Sequence, residues 1–245
     1  MMMIDKKSLW HRYKSIFILI LVLLVGVTLS YYVVEYPQDG TVARLVTYDK
    51  IMQAMGKHLS MVCISSGLAL LTAFPLGILL TRRICRKIAP RVVAIINIAQ
   101  TIPSLAIIAL FVGVLGIGAP TAILALWLYS LLPILNNTMV GIMEVDKDII
   151  EAARGMGMQP RRILWKVELP LAMPIILAGI RTSVTITIGT AILGAFVGAG
   201  GLGDFIISGN NVSRWQVLIL GATLPALMAL FTDYLFGLLE EKVAI

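Results

Sequence analysis

Apolar residues run in long blocks broken by short polar stretches, at about 16–34, 59–80, 92–115, 119–142, 174–197 and 217–239. A run of about 18 or more apolar residues is long enough to cross a bilayer as a helix. The pattern therefore predicts six spans and an all-α, polytopic transmembrane helical bundle. The breaks alternate in charge. Arg82, Arg83, Arg86, Lys87 and Arg91 fill the second, and Lys147, Arg154, Arg161, Arg162 and Lys166 the fourth. The third, Gly116-Ile-Gly-Ala-Pro120, is uncharged, and the fifth holds only Asp204 and Arg214. Fifteen of the 20 Lys and Arg fall on the side of the N-terminus. Basic residues collect in cytoplasmic loops, so both termini and the 143–173 loop are expected in the cytoplasm.

Composition agrees with this reading: 59% of the 245 residues are hydrophobic and 13% charged, about half the charge of a soluble domain. The net charge of +7 follows from the same loop bias, and no aromatics interleave with the basic clusters, so no nucleic-acid partner is expected. Lys6, Lys7, His11, Arg12 and Lys14 precede the first apolar block as in a signal peptide, but that block is too long and lacks a cleavage site. Tyr31, Tyr32 and Tyr36 suit an interfacial aromatic belt. Residues 1–47 are thus expected to form an anchor helix and an external segment. Cys63 and Cys85, about 33 Å apart on one expected helix, are too distant for a disulfide. Neither they nor the isolated His11 and His58 form a metal or nucleophile set, so no enzyme site and no metal are expected.

Pro75, Pro103, Pro133 and Pro225 interrupt the spans and are expected to kink them. Gln100, Thr101 and Ser104 cluster at Pro103, and Asn136 and Asn137 follow Pro133. Polar groups in a membrane are costly and often functional. Two readings stand: these residues line a translocation pathway, or they bond between helices. Arg181, about 10 Å into its span, is expected to snorkel to the cytoplasmic face, and Asp233 likewise. Gly194 and Gly198 form a small-xxx-small pair suited to helix packing.

The 143–173 loop carries the most specific pattern. Asp146 can cap a short helix whose first turn, with Asp148, is acidic at the dipole-positive end. Ile149, Ile150, Ala153 and Met156 recur at helical spacing as one apolar face. Gly155 and Gly157 end the helix, and Pro160 is expected to prevent its resumption. Such a helix either lies in the lipid headgroups or docks on a protein. The shallow Ala152-Ala153 face favours docking.

Glu151-Ala152-Ala153, then Gly157, then Val167-x-Leu169-Pro170 resembles the EAA loop of ABC-type importer permeases, with Val167 where isoleucine is usual. Trp127-Leu-Tyr-Ser-Leu-Leu-Pro-Ile-Leu-Asn136-Asn-Thr, Gln100-Thr-Ile-Pro103-Ser-Leu-Ala and Gly198-Ala-Gly-Gly-Leu-Gly203-Asp are similar to permeases for glycine betaine, choline or carnitine. The likeness covers residues 48–240. Methionine-importer permeases share the loop and a glycine-rich segment like 198–204.

The resemblance implies a permease domain at 48–240 in a bacterial cytoplasmic membrane. It implies that Asp148, Glu151, Ala152, Ala153, Arg154, Gly157, Leu169 and Pro170 couple to an ABC ATPase subunit, which would carry ATP and Mg. An extracytoplasmic solute-binding protein and a second or paralogous permease are further implied partners, beside membrane lipid. Consistent with a separate ATPase, no phosphate-binding G-x-x-x-x-G-K-[ST] occurs. Gly198-x-Gly200-x-x-Gly203 matches a dinucleotide fingerprint literally, but the strand and the acid that fingerprint needs are missing. It reads instead as a turn leaving the fifth span.

Overall fold

The computed structural model describes residues 6–243; residues 1–5 of the expected N-terminal segment lie outside it. In chain order the helices are α1 (Lys6–Glu35), α2 (Gly40–Leu45), α3 (Tyr48–Thr81), α4 (Ala89–Thr101), α5 (Ser104–Leu115), α6 (Ala119–Met143), α7 (Lys147–Gly155), α8 (Pro160–Ile163), α9 (Leu169–Thr190), α10 (Gly203–Asn211) and α11 (Trp215–Val243). A π-helical turn, Leu164–Glu168, joins α8 to α9, and a 3-10 segment, Ala191–Val197, follows α9. Helices are the natural outcome, because a lipid-embedded backbone must satisfy its polar groups within the segment.

Among the described residues, five stretches are long and apolar enough to cross a membrane: Ile16–Glu35, Tyr48–Thr81, Ala119–Met143, Pro160–Val197 and Trp215–Glu240. The expected 92–115 span differs. It breaks at Ile102-Pro103 into α4 and α5, 13 and 12 residues long. Proline disfavours helical geometry in the residue before it, and Ile102 is extended at ψ 130°. The expected 174–197 span also changes. Its helical course begins at Pro160 and tightens to 3-10 after Thr190. Residues 36–57, between the first two apolar blocks, contain α2 and the first turns of α3.

The α6 helix forms the centre of the bundle, packed mainly on α3 and α9. Its contact with α9 is close because Gly179 has no side chain: a Cβ there would lie 2.4 Å from Asn137 Cβ and 2.8 Å from the Pro133 carbonyl oxygen. Met61, Ile108, Leu126 and Ile188 fill the middle of the bundle, while Ile142, Val145, Leu169 and Ile176 close the end near α7. At the distal end, Val33, Val42, Phe205 and Leu220 join α1, α2, α10 and α11. Helix α1 runs along α11 and leaves Phe17, Leu24 and Val27 exposed. That apolar surface is suited to lipid rather than water.

The distal segment is tied down by charge and amides. Arg214 Nε donates to Asp39 Oδ2 at 2.5 Å, and Gln216 both accepts from the Gln38 amide and donates to the Tyr36 carbonyl. Asp39 also caps α2 by accepting from the Thr41 and Val42 amides.

Candidate functional site

Helix α7 stands at the end of the bundle where α3 and α6 finish. Asp146 opens it, its carboxylate accepting from the Asp148 amide at 2.9 Å. Two reverse bonds close it: Met158 N–H to the Ala153 carbonyl at 3.1 Å and Gly157 N–H to that of Arg154 at 2.9 Å. This pair is a Schellman turn, which needs a left-handed residue at Gly157, and φ there is 78°. Open space surrounds Gly157, so backbone conformation, not crowding, makes glycine the fitting residue.

The apolar face expected on α7 is divided. Ala153 is buried and Ile150 half-buried against the bundle, whereas Ile149 and Met156 face outward, the latter 76% exposed. Asp148, Glu151, Ala152 and Arg154 are also exposed. The helix thus rests on one narrow edge and offers acidic, small and apolar groups to whatever lies beyond it. Pro160 does not stop the helical course, contrary to expectation. It starts α8, where a missing N–H costs nothing because first-turn amides have no intrahelical acceptor.

At the same end of the bundle lies an ion pair the linear pattern concealed. Arg82, just past α3, donates to Glu168 Oε2 at 2.6 Å and also bonds the Ile78 carbonyl and the Thr81 hydroxyl. Glu168 is buried and lies between Val167 and Leu169 of the loop pattern. Leu169 is buried beside it, while Pro170 is exposed in the first turn of α9. An acid at the mouth of an apolar span was the one signal that could have revealed the pair.

The candidate pathway residues separate. Gln100 Nε2 donates to the Tyr129 carbonyl at 2.7 Å, joining α4 to α6. Asn137 Nδ2 donates to the Pro133 carbonyl at 2.9 Å and faces Gly179 of α9, about 12 Å farther along α6. Thr101 donates to its own helix at Ile98, Pro103 marks the break, Ser104 begins α5 half-buried, and Asn136 is half-buried next to Asn137. They do not form one cluster. A fully buried polar contact between α6 and α9 lies elsewhere: Ser183 donates to the Ser130 carbonyl at 2.8 Å, and the Ser130 and Thr187 hydroxyls meet at 2.6 Å. The i, i+4 spacing of Ser183 and Thr187 was its only trace in the sequence.

Arg181 does not snorkel free, nor does Asp233. Its guanidinium clamps Asp233 with two 2.6 Å bonds and reaches Glu240 at 3.0 Å, pinning α9 to α11. His58 is fully buried and donates from Nε2 to the Ile188 carbonyl. It lies under the glycine turn, where Gly198, Gly200 and Gly201 have positive φ. Beyond that turn Asp204 faces Lys57 across a cavity of about 240 Å³. Burial pushes the Asp204 carboxyl up, against the pull of Lys57.

This bundle, with a short capped helix displayed at one end, has clear relatives. Residues 73–245 match the family described as binding-protein-dependent transport system inner membrane component. The chain belongs to that family. It is 46% identical over 187 residues to the choline transport system permease protein OpuBB of Bacillus subtilis, covering 76% of this chain and 85% of that one. The glycine betaine/carnitine/choline transport system permease protein OpuCB of the same organism is 44% identical, over 79% and 88%. The osmoprotectant import permease protein OsmY of Salmonella typhimurium is 45% identical, over 77% and 80%. Among solved structures, a chain of the inward-facing MetNI methionine ABC transporter superposes with a TM-score of 0.71 at 24% identity, covering 80% of this chain and 97% of its own. That likeness is one of fold. The chain is thus an ABC importer permease of the bacterial inner membrane, and the resemblance read from its loop and flanks is borne out.

Proposed function

We propose that this permease carries an osmoprotectant of the quaternary-amine class, such as choline, glycine betaine or carnitine, and that α7 is its coupling helix. Two relatives at 44–46% identity are named for those substrates and a third at 45% for osmoprotectant import, which outweighs the fold-level likeness to a methionine importer. The observation that carries the coupling reading is the build of α7: capped at Asp146, closed at Gly157, seated by Ala153, and exposing Asp148, Glu151, Ala152 and Arg154. Gly157 sets the exit from the helix, and Leu169 and Pro170 join it to the fifth span. ATP and Mg act on a separate ATPase subunit, and an external binding protein delivers solute to two permease copies or a paralogous pair.

In this reading residues 48–240 form the permease domain and 1–47 an anchor with its external segment. Both termini and α7 face the cytoplasm. ATPase closure pushes α7, and the Arg82–Glu168 pair transmits the push to α3 and α9. Gln100, Thr101, Pro103, Ser104, Asn136 and Asn137 border the pathway from the α4–α5 break and from α6, with the Gln100 and Asn137 amides also bracing the backbone. Proteoliposomes holding this chain, its ATPase and its binding protein test the proposal. ATP-dependent uptake of glycine betaine, choline or carnitine is expected. Uptake of methionine alone would overturn the substrate, and uptake without the ATPase would overturn the coupling.

A further inference from the structure

A cavity of about 800 Å³ opens between the end of α3, the turn leading to α4 and the inner side of α7. Arg83, Arg86, Lys147 and Arg154 line it, and none of them pairs with a carboxylate among the described residues. Arg82 also lines it, but its guanidinium is spent on Glu168, Thr81 and the Ile78 carbonyl. That contact also neutralises Glu168. Glu151 is then the one carboxylate in the lining left to face four cations. Like charges gathered around one space repel, and an anion of matching charge relieves them.

The same turn carries apolar side chains that water would not favour. Ile84 is 93% exposed and Ile88 46%, interleaved with Arg83, Arg86 and Lys87. Basic pockets beside apolar side chains at a membrane surface suit an acidic headgroup with its acyl chains alongside. Three of the four cations are arginines, whose planar forks match phosphate oxygens in pairs.

We propose that this cavity binds one phosphate-bearing anion through Arg83, Arg86, Lys147 and Arg154. The membrane supplies it as an acidic phospholipid, with acyl chains along Ile84 and Ile88; the cytoplasm would supply it as free phosphate or pyrophosphate. A ligand here touches both the bundle and α7, so its occupancy sets how firmly α7 is held. That consequence rests on the coupling role of α7, whereas the binding itself does not.

Native mass spectrometry of the permease–ATPase complex, taken from vesicles of phosphatidylcholine with phosphatidylglycerol, reads the site directly. One retained phosphatidylglycerol per permease is expected, with retention falling on the order of tenfold in R83Q/R86Q. R161Q/R162Q, which removes two exposed cations of the 143–173 loop outside the cavity, should leave retention unchanged, and R83K/R86K should restore part of it. Pyrophosphate binding that is lost in R83Q/R86Q, without lipid retention, keeps the phosphate site and assigns a soluble source. Equal retention in R83Q/R86Q and R161Q/R162Q overturns the site, as does retention by the free permease that ends when the ATPase binds. Asp148→Lys, at an exposed position of α7 outside the cavity lining, separates the two readings. Loss of the ATPase with lipid retained supports both, and an ATPase still bound overturns only the coupling role.

Discussion

The side-chain amide of Gln100 donates to the Tyr129 carbonyl at 2.7 Å, and that carbonyl is the acceptor Pro133 leaves without its helical partner. Proline removes the i→i−4 bond, and in a membrane the freed carbonyl needs another donor. Gln100 reaches α6 from the turn before the Pro103 break, so two proline sites of different helices are joined by one amide.

Gln100→Leu should therefore lower stability by about 1 kcal/mol, the cost of losing the partner of a half-buried carbonyl. Pro133→Ala restores the backbone donor, so the same substitution should cost much less in that background. Thermal unfolding of the four variants in detergent measures the coupling. Equal costs in both backgrounds would remove this account of Gln100.

Glu151→Lys should abolish ATP-driven uptake and ATPase co-purification while the chain still inserts and folds. Glu151 is exposed and makes no ion pair among the described residues, and surface changes of that kind stay within about 0.5 kcal/mol. Normal uptake by this variant would sink the coupling assignment.

Gly157→Val should uncouple ATP hydrolysis from uptake and destabilise the α7 turn by about 1–2 kcal/mol, since a branched side chain resists the left-handed conformation. Gly157→Asn should be far milder, because asparagine visits that region and the space is open. Equal transport-to-hydrolysis ratios for the two would show that backbone conformation is not what matters there.

The bond from the Val42 amide holds the Asp39 carboxyl below its ordinary value of 3.8; burial opposes this, and Arg214 and the Thr41 amide add to it. A lowered folded-state pKa means the contribution is complete above the ordinary value and is lost as pH falls through the folded one. Hydrogen-exchange protection of Gly40–Leu45 should stay level from neutral pH down to about 4 and fall below that. Asp39→Asn should lower protection at pH 6 and flatten the acid limb. An unchanged acid limb would assign the effect to another group.

Much of this molecule is legible along the chain because lipid imposes a one-dimensional rule. Blocks such as 119–142 must be helical, since nothing in a bilayer can satisfy an open backbone. The cap at Asp146 and the turn at Gly157 are equally local, set by bonds among residues two to five apart. What eluded the sequence is long-range. Arg82 and Glu168 are 86 residues apart and Arg181 and Asp233 are 52. Each looked like a loop charge or a snorkelling side chain until its partner was in place.

The sequence by itself determined the six apolar blocks, the helical class, the asymmetry of basic loops and the capped helix in the 143–173 segment, because hydrophobicity, charge and capping act over a few residues. Only the tertiary structure decided which edge of α7 is buried, that the third block breaks into α4 and α5, and that Gln100 and Asn137 belong to separate helix contacts. Those outcomes depend on which helices meet and how closely, as at Gly179 against Asn137, and packing of that kind is carried by no single stretch of chain.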